Sequence, residues 1–337
     1  MIAPILETLL RGDSLDAEST TFVMHRMMAG EASDAEIAAF LIAMRAKGAS
    51  GTELAACARV MREKAISVAL EGDWIDTCGT GGGMPTFNLS TAAALIASAA
   101  GVKVAKHGNR AMTSKCGSAD VLEALGAHLP SDPLHLLRVA EETGLVFLFA
   151  QAHHPAMKHV GPVRRQLGVR TIFNQLGPLS NPVQATRQIV GVYDADLQGP
   201  MADALVQLGV ERAWLVTGAD GLDEISPCAP TTLTEVELGV IRQRIVSPAD
   251  FGLSPLDPSA LVPGETVTEN AAIVREALSD CGSVRFEAVL PSAAAAIYLA
   301  SAASSLTEAV DRAREVVSSG AAQAHLIRFV EATQSDE

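Results

Sequence analysis

The sequence predicts an α/β fold: a small all-helical N-terminal domain followed by a larger α/β domain with a mostly parallel central sheet. Three observations lead there. Two capped helical segments lie in the first seventy residues, short apolar runs begin to alternate with helical stretches at Trp74, and a chain of 337 residues that is 48% hydrophobic can fill two cores. The expected division is residues 1–70 for the helical domain and 71–337 for the α/β domain.

Taken in order, Ser33 to Glu36 ("SDAE") is a capping box opening a helix whose Ile37, Phe40, Leu41 and Met44 share one face, and Gly48 ends it. Ser50 to Glu53 ("SGTE") repeats the device for a helix to about Lys64. From Trp74 the runs "WIDTC", "VKVAKH", "LVFLFA", "QIVGVYD" and "RAWLVTG" read as strands, with helices from about Thr91, from about Ser118 and through "MADALVQLG". Strands in this alternation form a largely parallel sheet with helices on both faces and ligands at the C-terminal strand ends. Between "LFA" and "QIV" lies an interruption of about forty residues rich in His, Arg, Pro and Gly, which marks a functional loop or an excursion into another domain. The stretches "PSAAAAIYLASAASSLTEAVDRAREVV" and "AAQAHLIRFVEATQ" read as two or three closing helices.

Composition narrows the function. No run reaches the roughly eighteen apolar residues of a membrane span, and "MIAPILETLLRGD" lacks the features of a signal peptide, so a cytoplasmic location is expected. Five cysteines without a CxxC pair suggest reduced thiols rather than a disulfide framework or a zinc site. A net charge of −14, from 25 Lys+Arg against 39 Asp+Glu, argues against a nucleic-acid or membrane-surface partner. Two windows nonetheless contain no acid. Thr77 to Ala119 holds Lys103, Lys106, Arg110 and Lys115, and Thr143 to Tyr193 holds Lys158, Arg164, Arg165, Arg170 and Arg187. An anion site inside an acidic protein has this pattern.

Gly79, Gly81, Gly82 and Gly83 surround Thr80 just after a strand, ahead of a helix mouth carrying Asn88, Ser90 and Thr91. Backbone amides in a glycine nest and at a helix N-terminus supply donors to phosphate; a tight turn before a capped helix is the plain alternative. "KHGNRAMTSKCGSADVLEALG" repeats the strand-to-loop-to-helix arrangement with Lys106, Arg110 and Lys115 against an anion and Asn109, Thr113, Ser114 and Ser118 as donors. His107 alone reads more readily as a hydrogen-bonded packing residue than as a catalyst. Arg164 and Arg165 suit bidentate capture of a carboxylate or form a surface pair. Asp223 and Glu224 in "ADGLDEIS" are hard oxygen donors suited to Mg²⁺, or a solvated turn.

With "GTGG" and "TFNLST", "KHGNR" with "CGSADVLEALG", "HPAMKHVGPVRRQLGVRT" with "FNQLGPLSNP", and "DGLDEIS" in this order and spacing, the chain resembles the anthranilate phosphoribosyltransferase family from about residue 5 to beyond 330. The resemblance implies the nucleoside phosphorylase/phosphoribosyltransferase type of fold, a helical domain that also receives the segment around 165–185, and a homodimer formed through it. The implied reaction is transfer of the 5-phosphoribosyl group from phosphoribosyl pyrophosphate to anthranilate, releasing pyrophosphate, in tryptophan biosynthesis. By the same resemblance Gly79, Thr80, Gly81, Gly82, Gly83, Thr86, Asn88, Leu89, Ser90 and Thr91, together with Lys106, His107, Gly108, Asn109, Arg110, Thr113, Ser114 and Ser118, hold phosphoribosyl pyrophosphate. Gly79, His107, Asn109 and Arg164 bind anthranilate; Ser90, Asp223 and Glu224 bind Mg²⁺; Lys106, Arg164 and His107 form the catalytic set. The family loop reads GTGGDG with two further residues before T-[FV]-N, whereas "GTGGGMPTFN" is one residue shorter and has no aspartate; Thr217 replaces a common histidine and Gln151 a frequent proline. The rival readings are a nucleoside phosphorylase of related fold and a non-catalytic nucleic-acid-binding paralogue.

Overall fold

The computed structural model describes residues 2–111 and 115–335. Four helices open the chain: α1 (Ala3–Leu10), α2 (Ala17–Ala29), α3 (Asp34–Lys47) and α4 (Gly51–Glu63). There follow β1 (Ile75–Asp76), α5 (Leu89–Ala99), β2 (Val104–Gly108), α6 (Ser118–Leu125), α7 (Pro133–Thr143), β3 (Leu145–Phe149), and the short helices α8 (Ala150–His153), α9 (Gly161–Leu167) and α10 (Phe173–Leu176). Next come β4 (Arg187–Gly191), α11 (Gln198–Gln207), β5 (Arg212–Gly218), β6 (Thr231–Glu237), β7 (Val240–Val246), α12 (Val267–Ser279), α13 (Val284–Leu299), α14 (Leu306–Ser318) and α15 (Ala321–Gln334).

Both capping boxes form as their sequences require, Ser33 with Glu36 and Ser50 with Glu53, and Ile37, Phe40, Leu41 and Met44 are all buried. The forty-residue interruption is not a structureless loop. Its α9 packs on α3 and its α10 on α4, so Val160, Val163, Ile172, Phe173, Leu176 and Leu179 share a core with the N-terminal helices.

The strands form one sheet in the order β3-β2-β1-β4-β5-β6-β7. The first five are parallel, as expected. The hairpin of β6 and β7 adds two antiparallel strands, a departure from the alternating pattern. Its two-residue turn, Leu238 (φ 47) and Gly239 (φ 84), has both residues left-handed, the geometry that matches strand twist. β7 is a mostly exposed edge strand carrying Arg242 and Arg244, so it lacks the apolar alternation that reveals a strand in sequence. Elsewhere the alternation holds: Ile189 and Trp214 are sheet partners facing α5 and α13, while Val190 and Leu215 face α11 and the N-terminal helices.

At the closing end, α13 begins at Val284 and carries Pro291 inside it, where the sequence suggests a helix start. Among the described residues no helix is long and apolar enough to cross a membrane. Strand order reverses at β1, which lies between β2 and β4. The crevice beyond the C-terminal ends of β1 and β4 is therefore the switch point at which an open parallel sheet gathers ligands.

Candidate active site

Three backbones meet at that crevice because none carries a side chain in the way. A Cβ on Gly79 would lie 2.9 Å from the Gly191 carbonyl, one on Gly191 1.9 Å from the Asp223 carbonyl, and one on Gly83 2.5 Å from Asp223 Oδ1. Gly81 (φ +65) and Gly82 (φ +93) turn the loop between them, a conformation that favours glycine. The amides of Gly83 and Gly81 lie against the Asp223 carboxylate, and Gly82 O accepts from Arg170 Nη2 at 2.7 Å. Thr80 is not a free donor: its amide and Oγ1 both donate to Gly191 O, at 2.7 and 3.1 Å, and Oγ1 accepts from Tyr193 N. It anchors the loop to β4.

Past the loop, half-buried Thr86 leads to the mouth of α5. Asn88 occupies the N-cap without a side-chain cap bond; its Nδ2 donates to Cys116 O at 3.1 Å, and its buried Oδ1 has no partner among the described residues. Leu89 does not belong to the site, since its side chain is 2% exposed in the sheet core and its amide donates to Phe87 O. Thr91 is buried beneath the helix beside Lys106. Lys106, midway along β2, is buried, and its Nζ donates to Thr77 O (2.8 Å), Thr77 Oγ1 (3.2 Å) and Ser90 Oγ (3.2 Å). Burial lowers its pKa, while Cys78, Asp76 and Glu224 oppose the shift.

The second loop is built just as closely. A Cβ on Gly108 would meet Ser118 Oγ at 2.3 Å and the Phe147 ring at 2.6 Å, and Ser118 Oγ donates to Asn109 O. Asn109 Oδ1 accepts from Arg110 N (2.8 Å) and from Gln151 Nε2 (3.2 Å), so the residue replacing the family's proline holds a site residue. Arg110 departs from its expected role. Its guanidinium is held by Asp120 and Glu123 of α6 and stacks on Phe149, so it is not a free anion ligand, because acids immediately after the acid-free window claim it. Lys115 likewise pairs with Glu265. Thr113 and Ser114 lie outside the described residues.

His107 presents the other face of the β2 tip. Its Nδ1 bonds Gly177 O at 3.0 Å, which places the proton on Nδ1 and leaves the buried Nε2 without a partner among the described residues. Burial, and then His154 edge-on at 5.3 Å, push its pKa down to about 3. An imidazole held neutral, with its Nδ1 proton on Gly177 O, is placed to pack rather than to act as a base, which speaks against the catalytic role expected of it. Below it Asp76 accepts from His107 N (3.0 Å) and Asn181 Nδ2 (2.8 Å), and Asn181 also donates to Ala105 O. Cys78 lies beside Asp76 and His107, its thiol directed to Gly79 O. Arg164, on α9, is half-buried and stacks on Phe173 at 5.1 Å. Among the described residues no carboxylate pairs with it, and burial lowers its pKa.

The crevice is lined by Thr77, Gly79, Ser90, Ala93, Ile189, Gly191, Glu224 and Ser292. Glu224 receives Ser292 Oγ at 3.5 Å; burial first, then Asp223, push its carboxyl up to about 7, while Lys106, Ser90 and Ser292 hold it down. Burial also raises Asp223. Two carboxylates that resist ionising together, next to a serine hydroxyl, are a donor set that a hard divalent cation such as Mg²⁺ relieves. Asp76, Thr77, His154, Arg170, Asn181 and Ser292 escape a sequence reading. Asp76, directly before the glycine loop at a strand end, had a usable signal; Ser292, in an alanine run, had none.

The model "Glycosyl transferase family, helical bundle domain" matches residues 3–65 and "Glycosyl transferase family, a/b domain" residues 71–323. The anthranilate phosphoribosyltransferase of Herpetosiphon aurantiacus is 46% identical over 330 residues, covering 97% of each chain. The crystal structure of the anthranilate phosphoribosyltransferase from Thermus thermophilus superposes with a TM-score of 0.91 at 42% identity, covering 98% of this chain and 99% of the other. The Saccharomyces cerevisiae enzyme, solved in complex with PRPP and Mg, gives 0.88 at 26% identity, covering 98% and 97%.

Proposed function

The chain belongs to the anthranilate phosphoribosyltransferase family, and from that premise we propose how its residues transfer the 5-phosphoribosyl group from phosphoribosyl pyrophosphate to anthranilate, yielding N-(5-phosphoribosyl)anthranilate and pyrophosphate in tryptophan biosynthesis. The observation that carries the assignment is the Lys106 ammonium, held by Thr77 and Ser90 next to Glu224 at the switch point of the sheet.

Breaking the bond from C1 to pyrophosphate develops negative charge on the leaving group and positive charge on the ribose, so electrostatics and positioning supply the catalysis. Lys106 offsets leaving-group charge. Gly79, the Gly81 to Gly83 loop, Asn88, Ser90, Asn109 and Ser118 fix the substrate. Asp223, Glu224 and Ser90 would hold Mg²⁺, which when bound neutralises pyrophosphate oxygens. Arg164, without an acid partner among the described residues, takes the anthranilate carboxylate in its planar fork. The neutral His107 lines that pocket, in keeping with a weakly basic aromatic amine that attacks unprotonated and requires no side-chain base. The nucleoside phosphorylase reading leaves Arg164 without a substrate to bind.

We also place the enzyme in the cytoplasm as a homodimer. Free cysteines suit a reducing compartment, and Leu10, Phe22 and Ile42 expose apolar surface on the helical domain. The test mixes protein, Mg²⁺, phosphoribosyl pyrophosphate and anthranilate and follows anthranilate fluorescence; no loss of signal at saturation refutes the assignment.

A further inference from the structure

The glycine loop is gripped from two sides, and one of the two residues has no role so far. Asp223 faces the amides of Gly81 and Gly83. Arg170 takes the carbonyl between them, Gly82 O, at 2.7 Å. Its guanidinium lies over the Tyr193 ring at 4.0 Å, so the stacked face and the in-plane donor are used together, which a lysine cannot do. The other end of the strap is also tied: Arg170 O accepts from Arg45 Nη1 of α3 at 2.6 Å. A Cβ on Gly82 would sit 2.3 Å from Arg170 Nη2, so the close approach depends on glycine there.

We propose that Arg170, on its Tyr193 platform, is the positioning residue that holds the glycine loop in the shape that receives the pyrophosphate of the phosphoribosyl donor. This rests on the reaction proposed above. A run of three glycines has no side chains of its own to order it, and fixing it at the moment of binding draws on the binding energy. The orientation of the Gly82 peptide matters as much, because a carbonyl turned toward the crevice would repel the anion. Arg170 holds that carbonyl by a charge-assisted bond and adds a positive charge beside Asp223. The segment bearing Arg170 packs with the helical domain, so the strap also sets the loop of one domain from the other.

The test compares Arg170→Ala, Arg170→Lys, Tyr193→Leu and the Arg170→Ala/Tyr193→Leu double variant with the wild type, with thermal melting to confirm the fold. Arg170→Ala is expected to raise KM for phosphoribosyl pyrophosphate about tenfold or more, the size of a charge-assisted bond, with KM for anthranilate within about twofold. Arg170→Lys should recover only part of the loss, Tyr193→Leu should act in the same direction, and the double variant should be little worse than Arg170→Ala. Calorimetry of inorganic pyrophosphate with Mg²⁺ should show the same weakening without turnover. An unchanged donor KM, equal rises for both substrates, or full recovery by lysine overturns the inference; a wild type that binds pyrophosphate but transfers nothing overturns the reaction assignment instead.

Discussion

Gly191→Ala is the sharpest test of how the site is assembled. Gly191 ends β4, and a methyl group there would meet the Asp223 carbonyl at 1.9 Å, where contacts under 3.0 Å essentially do not occur. The obstacle is backbone, not the end of a flexible side chain, so β4 or the Asp223-Glu224 turn has to retreat by about 1 Å, the difference between those two distances. Overpacking of this kind costs about 1–3 kcal/mol of stability, which a large domain survives. The site is less tolerant. The same shift moves Asp223 and Glu224 away from Ser90 and disturbs Thr80, whose amide and hydroxyl both donate to Gly191 O. A misplacement of about 1 Å at reacting groups lowers turnover by about 100-fold. Steady-state anthranilate fluorescence should show that fall in kcat together with a higher Mg²⁺ requirement, while thermal denaturation remains cooperative. A folded variant with kcat within about twofold of wild type and an unchanged Mg²⁺ requirement refutes the reasoning.

Three further outcomes follow from single side chains. Arg164→Ala should raise KM for anthranilate by about 10- to 100-fold, the size of a lost charge-assisted bond, and leave KM for phosphoribosyl pyrophosphate within about twofold; equal effects on both substrates refute its role. Glu53 is fully buried, and its carboxylate accepts from Leu15 N (2.9 Å), Ser50 N (2.7 Å) and Lys47 Nζ (2.8 Å). Glu53→Ala takes the carboxylate from the Lys47 ammonium, which keeps Ser14 Oγ and Gly48 O, and removes the acceptor of two amides, so urea unfolding should report a loss of about 3 kcal/mol with unchanged KM values. His325, on α15, is buried, and its Nδ1 accepts from Arg328 at 2.8 Å; burial first and Arg328 second push its pKa down to about 4. The depressed value means that the unfolded chain binds the proton first: the histidine's contribution is intact above about pH 6.5 and is lost, by up to about 1.4 kcal/mol per pH unit, as pH falls toward 4. Stability curves between pH 7 and 4 should therefore be flatter in His325→Gln, and an unchanged slope counts against the assignment.

Much of the molecule is legible in the sequence. The two capping boxes, the buried face of α3 and the five parallel strands all rest on local chemistry, namely side chains that bond their own helix ends and apolar residues recurring at helical or strand periods. The loops that line the crevice are legible for the same reason, since glycine clusters and acid-free basic stretches are features of contiguous chain. The β6-β7 hairpin is not, because an exposed edge strand needs no apolar alternation. The path of α9 and α10 into the helical core is legible only through the family resemblance, because their few apolar residues show a face only once α3 and α4 stand opposite.

Fold class, family and the loops that line the crevice can thus be read from the order of residues alone, while tertiary contacts settle what each residue in those loops is free to do. Thr80 and Arg110 carry suitable groups, yet Gly191 O holds the first, and Asp120 and Glu123 neutralise the second. His107 is a familiar acid-base residue that burial holds neutral and weakly basic. Arg170, one basic residue among several in its window, gains its place only where it meets Gly82 and Tyr193. Bonding partners and burial depend on approaches between distant parts of the chain, and desolvation, which sets charge and availability, arises only once those approaches are made.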